Sequence, residues 1–244
     1  MASSTRVSLC LFAVLLALYF LGSAYFVFQL SLFLIYALVT QGVGYVWSRT
    51  GILPLGQSFF FGIGAYLCAA TLKNIESGVL QFFLMMAIVA VVGVLGFFIA
   101  ALVFKGKSES GPFFSFITLA LAMIAMQVAN SFPELTGGFN GMGGYAPFMG
   151  IDPFGSFYLF AAAACALVCF LFLRLDERPL GIVARAIEDN EPRLQLLGFA
   201  THLIKAFIFG LSAAVAAVAG ILFANYQGIV TPTAVGFLLA ATRQ

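Results

Sequence analysis

The sequence predicts an all-α fold: a polytopic transmembrane helical bundle of about seven spans, with a partial helix at its C-terminal end. Of its 244 residues, 63% are hydrophobic and only 8% are charged, whereas a soluble domain carries about a quarter charged residues. The charges are clustered, and the stretches between clusters are too long and too apolar for the buried helices of a globular domain. The whole of residues 1–244 reads as one transmembrane domain.

No charged residue lies between Arg6 and Arg49. Helix over that length, at about 1.5 Å per residue, reaches twice the hydrocarbon thickness, so two spans are expected with a turn at Gly22-Ser23-Ala24. Those small residues after an apolar run also resemble a leader-cleavage site, but the hydrophobic pattern resumes at Tyr25 and favours a retained first helix. The next charge-free run, Thr50 to Leu72, contains Gly51, Pro54, Gly56, Gly62 and Gly64. Glycine and proline in that density predict a discontinuous helix near residues 51–66. Ser77 to Phe104 and Ser110 to Phe132 form the fourth and fifth spans, the fifth opening at Gly111-Pro112. Asp152-Pro153 caps the sixth, which runs to Leu173. Ile204 to Tyr226 is the seventh, and Thr231-Pro232 begins a further helix that is too short to cross.

With the amino terminus inside, Arg6, Arg49, Lys105, Lys107, Arg174, Arg178, Arg185, Arg193 and Lys205 share one face, and Lys73 lies opposite. This is the positive-inside rule, and it predicts a cytoplasmic amino terminus in a bacterial-type inner membrane. In the seventh span Ser212, Ala216 and Gly220 recur every four residues, with Ala213, Ala217 and Ala224 beside them. They make a small-residue seam on which another helix packs closely; the sequence leaves open whether that helix belongs to this chain.

The composition excludes several classes of function. A net charge of +2 and dispersed basic loops do not suit nucleic acid. Cys10, Cys68, Cys165 and Cys169 all lie in apolar runs and read as packing residues, with no metal set around them. The single histidine, His202, has no carboxylate pattern about it, and no catalytic residues or cofactor are expected. Ala101 to Ser108 matches a loose phosphate-loop pattern, but an apolar span precedes it where a strand is needed. The spans hold no acidic residue, which argues against a proton-driven carrier.

One long charged stretch remains, Arg174 to Lys205. It mixes Arg185, Glu188, Asp189, Glu191 and Arg193 with Ile182, Val183, Ile187, Leu194 and Leu197. The pattern predicts amphipathic helical pieces divided at Pro192 and ended at Gly198. Ile187, Leu194 and Leu197 are expected to form an outward stripe for a cytoplasmic partner.

The residues Arg185-Ala186-Ile187-Glu188, Glu191, Arg193 and Gly198 resemble the cytoplasmic coupling loop of permeases of the branched-chain amino acid importer family. Gly51 to Tyr66, Phe113 to Ala122, Thr136 to Gly144 and Lys205 to Pro232 resemble the same family in the same order. Leu194 and Pro192 depart from its usual pattern. The resemblance implies a permease subunit of an ATP-binding-cassette importer for branched-chain or other hydrophobic amino acids. It also implies a second permease subunit, two cytoplasmic ATP-binding subunits that carry the ATP hydrolysis, and a periplasmic or extracellular solute-binding protein. Residues 174–205 become the ATPase-coupling loop, with Arg185, Glu188, Glu191, Arg193 and Gly198 as its principal residues. The translocation path falls to Gln57, Ser58 and Thr118 near the broken helix. Tyr226 to Pro232 is equally similar to the urea and short-chain amide branch of the family. A stand-alone channel or carrier and a membrane enzyme are the other classes considered. The family pattern continues past Ala241-Thr242-Arg243-Gln244, so the chain reads as ending early.

Overall fold

The computed structural model describes residues 2–105, 111–151 and 156–234. The inside loop with its phosphate-loop look-alike, the Asp152-Pro153 cap and the residues after 234 lie wholly or partly outside these. Nine α-helices run along the described chain: α1 (Ala2–Leu21), α2 (Ala24–Thr50), α3 (Gln57–Asn74), α4 (Gly78–Lys105), α5 (Gly111–Ser131), α6 (Pro133–Thr136), α7 (Ser156–Asp176), α8 (Pro179–Leu196) and α9 (Thr201–Gln227). Five of them, α2, α4, α5, α7 and α9, are long and apolar enough to cross a membrane. The helices α1 and α3 fall where two further spans were expected but do not meet that standard of length and apolarity.

Local chemistry explains the boundaries. The α1–α2 turn falls at Gly22-Ser23, where the Ser23 hydroxyl accepts a hydrogen bond from the Phe26 N–H at 3.4 Å, an N-cap arrangement. The helix α2 ends at Gly51, which adopts φ 67° and closes the last turn by donating its N–H to the Trp47 carbonyl at 2.9 Å. That left-handed conformation suits glycine. Residues 51–56 then run without helix, and α3 starts at Gln57. The interruption thus lies in the first half of the 51–66 segment, and its second half is regular helix. Helix α4 continues unbroken to Lys105, so helix stands where a phosphate loop would need a strand.

Helix α9 is the hub. It packs against α2, α3, α4, α7 and α8, and its small residues permit this. A Cβ on Gly220 would overlap the Phe61 carbonyl of α3, and one on Gly64 would come within 2.6 Å of the Ala217 carbonyl. On another side Gly93 and Gly96 of α4 meet Ala213, Ala214 and Gly210. The seam of Ser212, Ala216 and Gly220 is therefore used within this chain. Close backbone approach supplies dispersion where lipid provides no hydrophobic drive.

The chain folds with two distinct ends. At one, Arg49, Asp176, α8, Lys205 and the end of α4 converge. At the other, Met142–Gly143 pairs antiparallel with Ile229–Val230, and the Tyr145 hydroxyl donates to the Ala224 carbonyl at 2.9 Å. Burial, with Cys68 adding to it, pushes the Tyr145 phenol up from its ordinary value, so it stays protonated and remains a donor. Lys73 closes α3, which runs parallel to α9, and so sits away from the basic end.

Candidate functional site

The first cluster surrounds the interruption before α3. Gln57 is 4% exposed, and its Nε2 donates to Ser212 Oγ of α9 at 2.9 Å. Ser212 lies about three turns, roughly 16 Å, into α9, so the tip of α3 begins well inside the bundle. Two residues assigned separately, one to the path and one to the seam, thus meet in one hydrogen bond. Thr118 of α5 accepts from the Gly56 N–H at 3.3 Å and donates to the Ser115 carbonyl at 2.9 Å. Gly56 lies so close to the Thr118 carbonyl that a Cβ there would overlap it. Ser115 donates to the Leu53 carbonyl. Two of the backbone groups freed by the break, the Gly56 N–H and the Leu53 carbonyl, are thus met by α5 side chains, and the Ile52 N–H by Thr50 Oγ1 of α2, in keeping with the need to satisfy interrupted backbone at membrane depth. Gln57 Oε1 and Ser58 Oγ are buried without a hydrogen-bond partner. An unpaired buried acceptor costs about 1–3 kcal/mol, and here two sit at the amino-terminal end of a helix.

The second cluster forms the basic end. Asp176, the last residue of α7, accepts from Arg49 Nε at 2.8 Å, from Arg49 Nη2, from the Tyr45 hydroxyl at 3.1 Å and from Arg185 Nη2 at 3.2 Å. The Arg49 contact is the bidentate geometry that makes guanidinium–carboxylate pairs strong and directional. Tyr45 stacks on Phe172 with centroids 4.2 Å apart. Asp176 and Arg49 are mostly covered, whereas the Arg185 side chain is 55% exposed. One carboxylate therefore joins the end of α2, the end of α7 and the first half of α8. Gly181 makes the tight α7–α8 corner possible, since a Cβ there would overlap the Leu175 carbonyl.

Helix α8 bends at Asn190 (φ −161°, ψ 84°), and Pro192 opens the second piece. Asn190 Oδ1 accepts from the Arg193 N–H at 3.1 Å, so Asn190 caps that piece, and Gly198 leaves it at φ 87°. The expected division and ending are both present. The expected outward stripe holds only at Leu197, 68% exposed: Ile187 and Leu194 are 3% and 9% exposed and pack against the chain itself. Their seven-residue spacing puts them on one face, and that face meets the chain's own helices. The apolar side chains turned outward are Ile182, Leu196 and Leu197, with Phe199 after them. Glu188 and Arg193 are exposed. Glu191 pairs instead with Lys205 of α9 at 2.6 Å, and the ammonium also lies 4.8 Å from the Phe104 ring centroid of α4. The Lys205 side chain is 7% exposed.

Sequence reasoning missed Asp176, Tyr45 and the pairing of Lys205. Only the charges of Asp176 and Lys205 and the positions of all three near span ends hinted at them.

A broken helix held inside an all-helical apolar bundle, with a charged helical loop at one end, is the architecture of a multi-pass membrane protein. The chain belongs to the branched-chain amino acid transport system permease component family, whose model matches residues 25–242. It is 30% identical over 238 residues to the high-affinity branched-chain amino acid transport system permease protein LivM of Escherichia coli (strain K12), covering 86% of this chain and 55% of that protein. Against LivM of Salmonella typhimurium (strain LT2) the identity is 30% over 235 residues, covering 85% and 54%. The chain thus spans about half the length of these curated relatives. No solved structure matches it.

Proposed function

We propose that this chain is a membrane-spanning permease subunit of an ATP-driven importer of branched-chain or other hydrophobic amino acids. It lies in the cytoplasmic membrane with its amino terminus and α8 on the cytoplasmic side, a reading that the distribution of basic residues supports. Its partners are a second permease chain, two ATP-binding subunits that dock on α8, and a soluble receptor that delivers solute to the opposite end.

The observation that carries this reading is the double attachment of α8. Asp176 links Arg185 on α8 to Arg49, two residues before the break at Gly51. Glu191 links the second piece of α8 to Lys205 on the hub helix. A push on α8 therefore reaches both the broken segment and α9, which share the Gln57–Ser212 bond. Meanwhile Leu196 and Leu197, 90% and 68% exposed, remain for a groove on an ATP-binding subunit to cover. In this role Gln57 and Ser58 meet polar groups of the solute once the bundle opens. Arg185, Glu188 and Arg193 set register at the rim of the docked surface.

The test measures subunit association, ATPase rate and leucine uptake with the partner subunits present. Leu196→Glu with Leu197→Glu is expected to weaken association about ten-fold or more. Asp176→Asn is expected to leave association in place and lower uptake per ATP hydrolysed. Unchanged association in the double variant removes the docking role. Uptake of urea in place of leucine moves the substrate to the amide branch.

A further inference from the structure

At the end opposite α8 the bundle encloses a cavity of about 400 Å³ between α4, α7 and α9. Its floor is Ile221 and Leu222 of α9, its walls are Met85 and Val89 of α4 with Phe157 of α7, and Phe148 forms its roof. Met86 of α4 and Phe160 of α7 also line it and are 56% and 51% exposed, so the cavity opens sideways between α4 and α7, in the direction of the bilayer.

The one polar side chain among the lining residues is Asn225, and it is occupied. Its Oδ1 accepts from the Phe148 N–H at 2.9 Å and its Nδ2 donates to the Ile221 carbonyl at 2.9 Å. Nδ2 also donates to Cys68 Sγ at 3.5 Å, so Asn225 fixes the roof with both amide hydrogens used and keeps a single lone pair on Oδ1 for anything in the cavity. An amino-acid solute would leave its ammonium and carboxylate unpaired there, at a large desolvation cost. Water needs about two to four polar partners and finds at most that one lone pair, too few to hold it there. Left unfilled, the lining would lose dispersion contacts along its length.

We propose that this cavity binds one acyl chain of a membrane phospholipid, drawn from the leaflet opposite α8. The chain enters through the gap beside Met86 and Phe160 and lies along the outer third of α9, while the headgroup stays at the level of the Phe148 roof. Such an occupant fills the space beside the hub helix at the point where α4 and α7 separate. The site is independent of the importer reading and of any solute path through Gln57.

The experiment places the full chain in nanodiscs of phosphatidylcholine doped with a phospholipid carrying a diazirine near the end of its acyl tail. Photolabelled residues are mapped by mass spectrometry. Labels are expected to concentrate on Met85, Val89 and Ile221, above the level on the exposed α5 residues Met123, Ile124 and Val128. Met86→Trp, at the half-exposed mouth, and Val89→Phe, on the wall, are each expected to lower cavity labelling about five-fold by filling the space, with α5 labelling unchanged. Labelling of the cavity no denser than of α5 would overturn the proposal, as would labelling that neither filling variant reduces. Loss of cavity labelling on assembly with a second permease chain would also overturn it, by showing that protein covers the mouth.

Discussion

Helices α4 and α9 are both strongly apolar spans, yet they occupy opposite environments. Two-thirds of the most apolar window of α9 is buried in the bundle, against about one-sixth of that of α4, 67% and 17%. The difference lies in side-chain size. Helix α9 carries Gly210, Ser212, Ala213, Ala216, Ala217 and Gly220 on its contact faces, while α4 turns Phe83, Val91, Val94, Phe98 and Leu102 outward. In water the larger apolar residues would be inside. In lipid they gain nothing by burial, and small residues mark the core because they let backbones approach.

The sharpest way to break this comparison is to enlarge glycines of equal composition but unequal surroundings. Gly220→Leu must displace the Phe61 backbone of α3 and is expected to cost about 3 kcal/mol, the upper range for overpacking. Gly42→Leu meets Ser212 Oγ at 2.9 Å and should also destabilise, whereas Gly44, two residues on in the same helix, has open space around it. Gly44→Leu is expected to change stability by less than about 0.5 kcal/mol. Unfolding in mixed detergent micelles reads all three. Equal losses at Gly42 and Gly44 would show that the local space around each glycine does not set the effect, since helix propensity alone would favour leucine at both.

Much of this was legible before the structure. Gly51 and Pro54 announced the interruption, Gly22-Ser23 the first turn, and the four-residue spacing in α9 its contact face. What stayed hidden was partnership across long separations. Arg49 and Asp176 are 127 residues apart, and nothing in either local pattern names the other. The same limit misdirected the reading of α8. Periodicity put Ile187 and Leu194 on one face, but only the fold shows that α2, α7 and α9 are close enough to cover it. Gln57 and Ser58 were recognisable as polar groups near a break, yet the hydrogen bond from Gln57 to Ser212 depended on how far α3 sits up the bundle.

A second, smaller contrast separates the two cationic partners of Asp176. Arg49 is largely covered and bidentate, while Arg185 is half exposed and makes one bond at 3.2 Å. Arg49→Gln leaves a covered carboxylate with only Tyr45 and Arg185 and is expected to cost about 2 kcal/mol. Arg185→Gln should cost less than about 1 kcal/mol, as exposed pairs do. Detergent unfolding of the two variants checks the order, and a larger loss at Arg185 would reverse the ranking that burial gives. Glu191→Lys belongs with the Arg49 class, because it places a second cation beside buried Lys205. Any uncoupling it produces reports on the α8–α9 link as well as on docking.

A loss smaller than those at Gly220 and Arg49 is expected at the bend in α8. If α8 is two pieces hinged at Asn190, the Asn190 side chain stabilises the second piece by accepting the Arg193 N–H. Asn190→Ala removes that cap and should cost about 1 kcal/mol, confined to Glu191–Leu196. Asn190→Asp and Asn190→Ser keep an acceptor at the same place and should restore most of it. Pro192 makes the bend obligatory: a proline inside one continuous helix would lose a backbone hydrogen bond and clash with the preceding turn, whereas at the start of a new helix neither occurs. Pro192→Ala alone is therefore expected to leave the bend in place, because Asn190 still caps it. The double change Asn190→Ala with Pro192→Ala should let α8 straighten, swinging Leu196 and Leu197 away from their present position. Amide hydrogen exchange across 185–198 distinguishes these outcomes: faster exchange at Arg193 in Asn190→Ala, near-normal exchange in Asn190→Asp, and continuous protection through 190–193 only in the double variant. Continuous protection already present in the unaltered chain would mean that α8 is one rod, and that Leu196 and Leu197 are aimed by the helix axis rather than by the hinge.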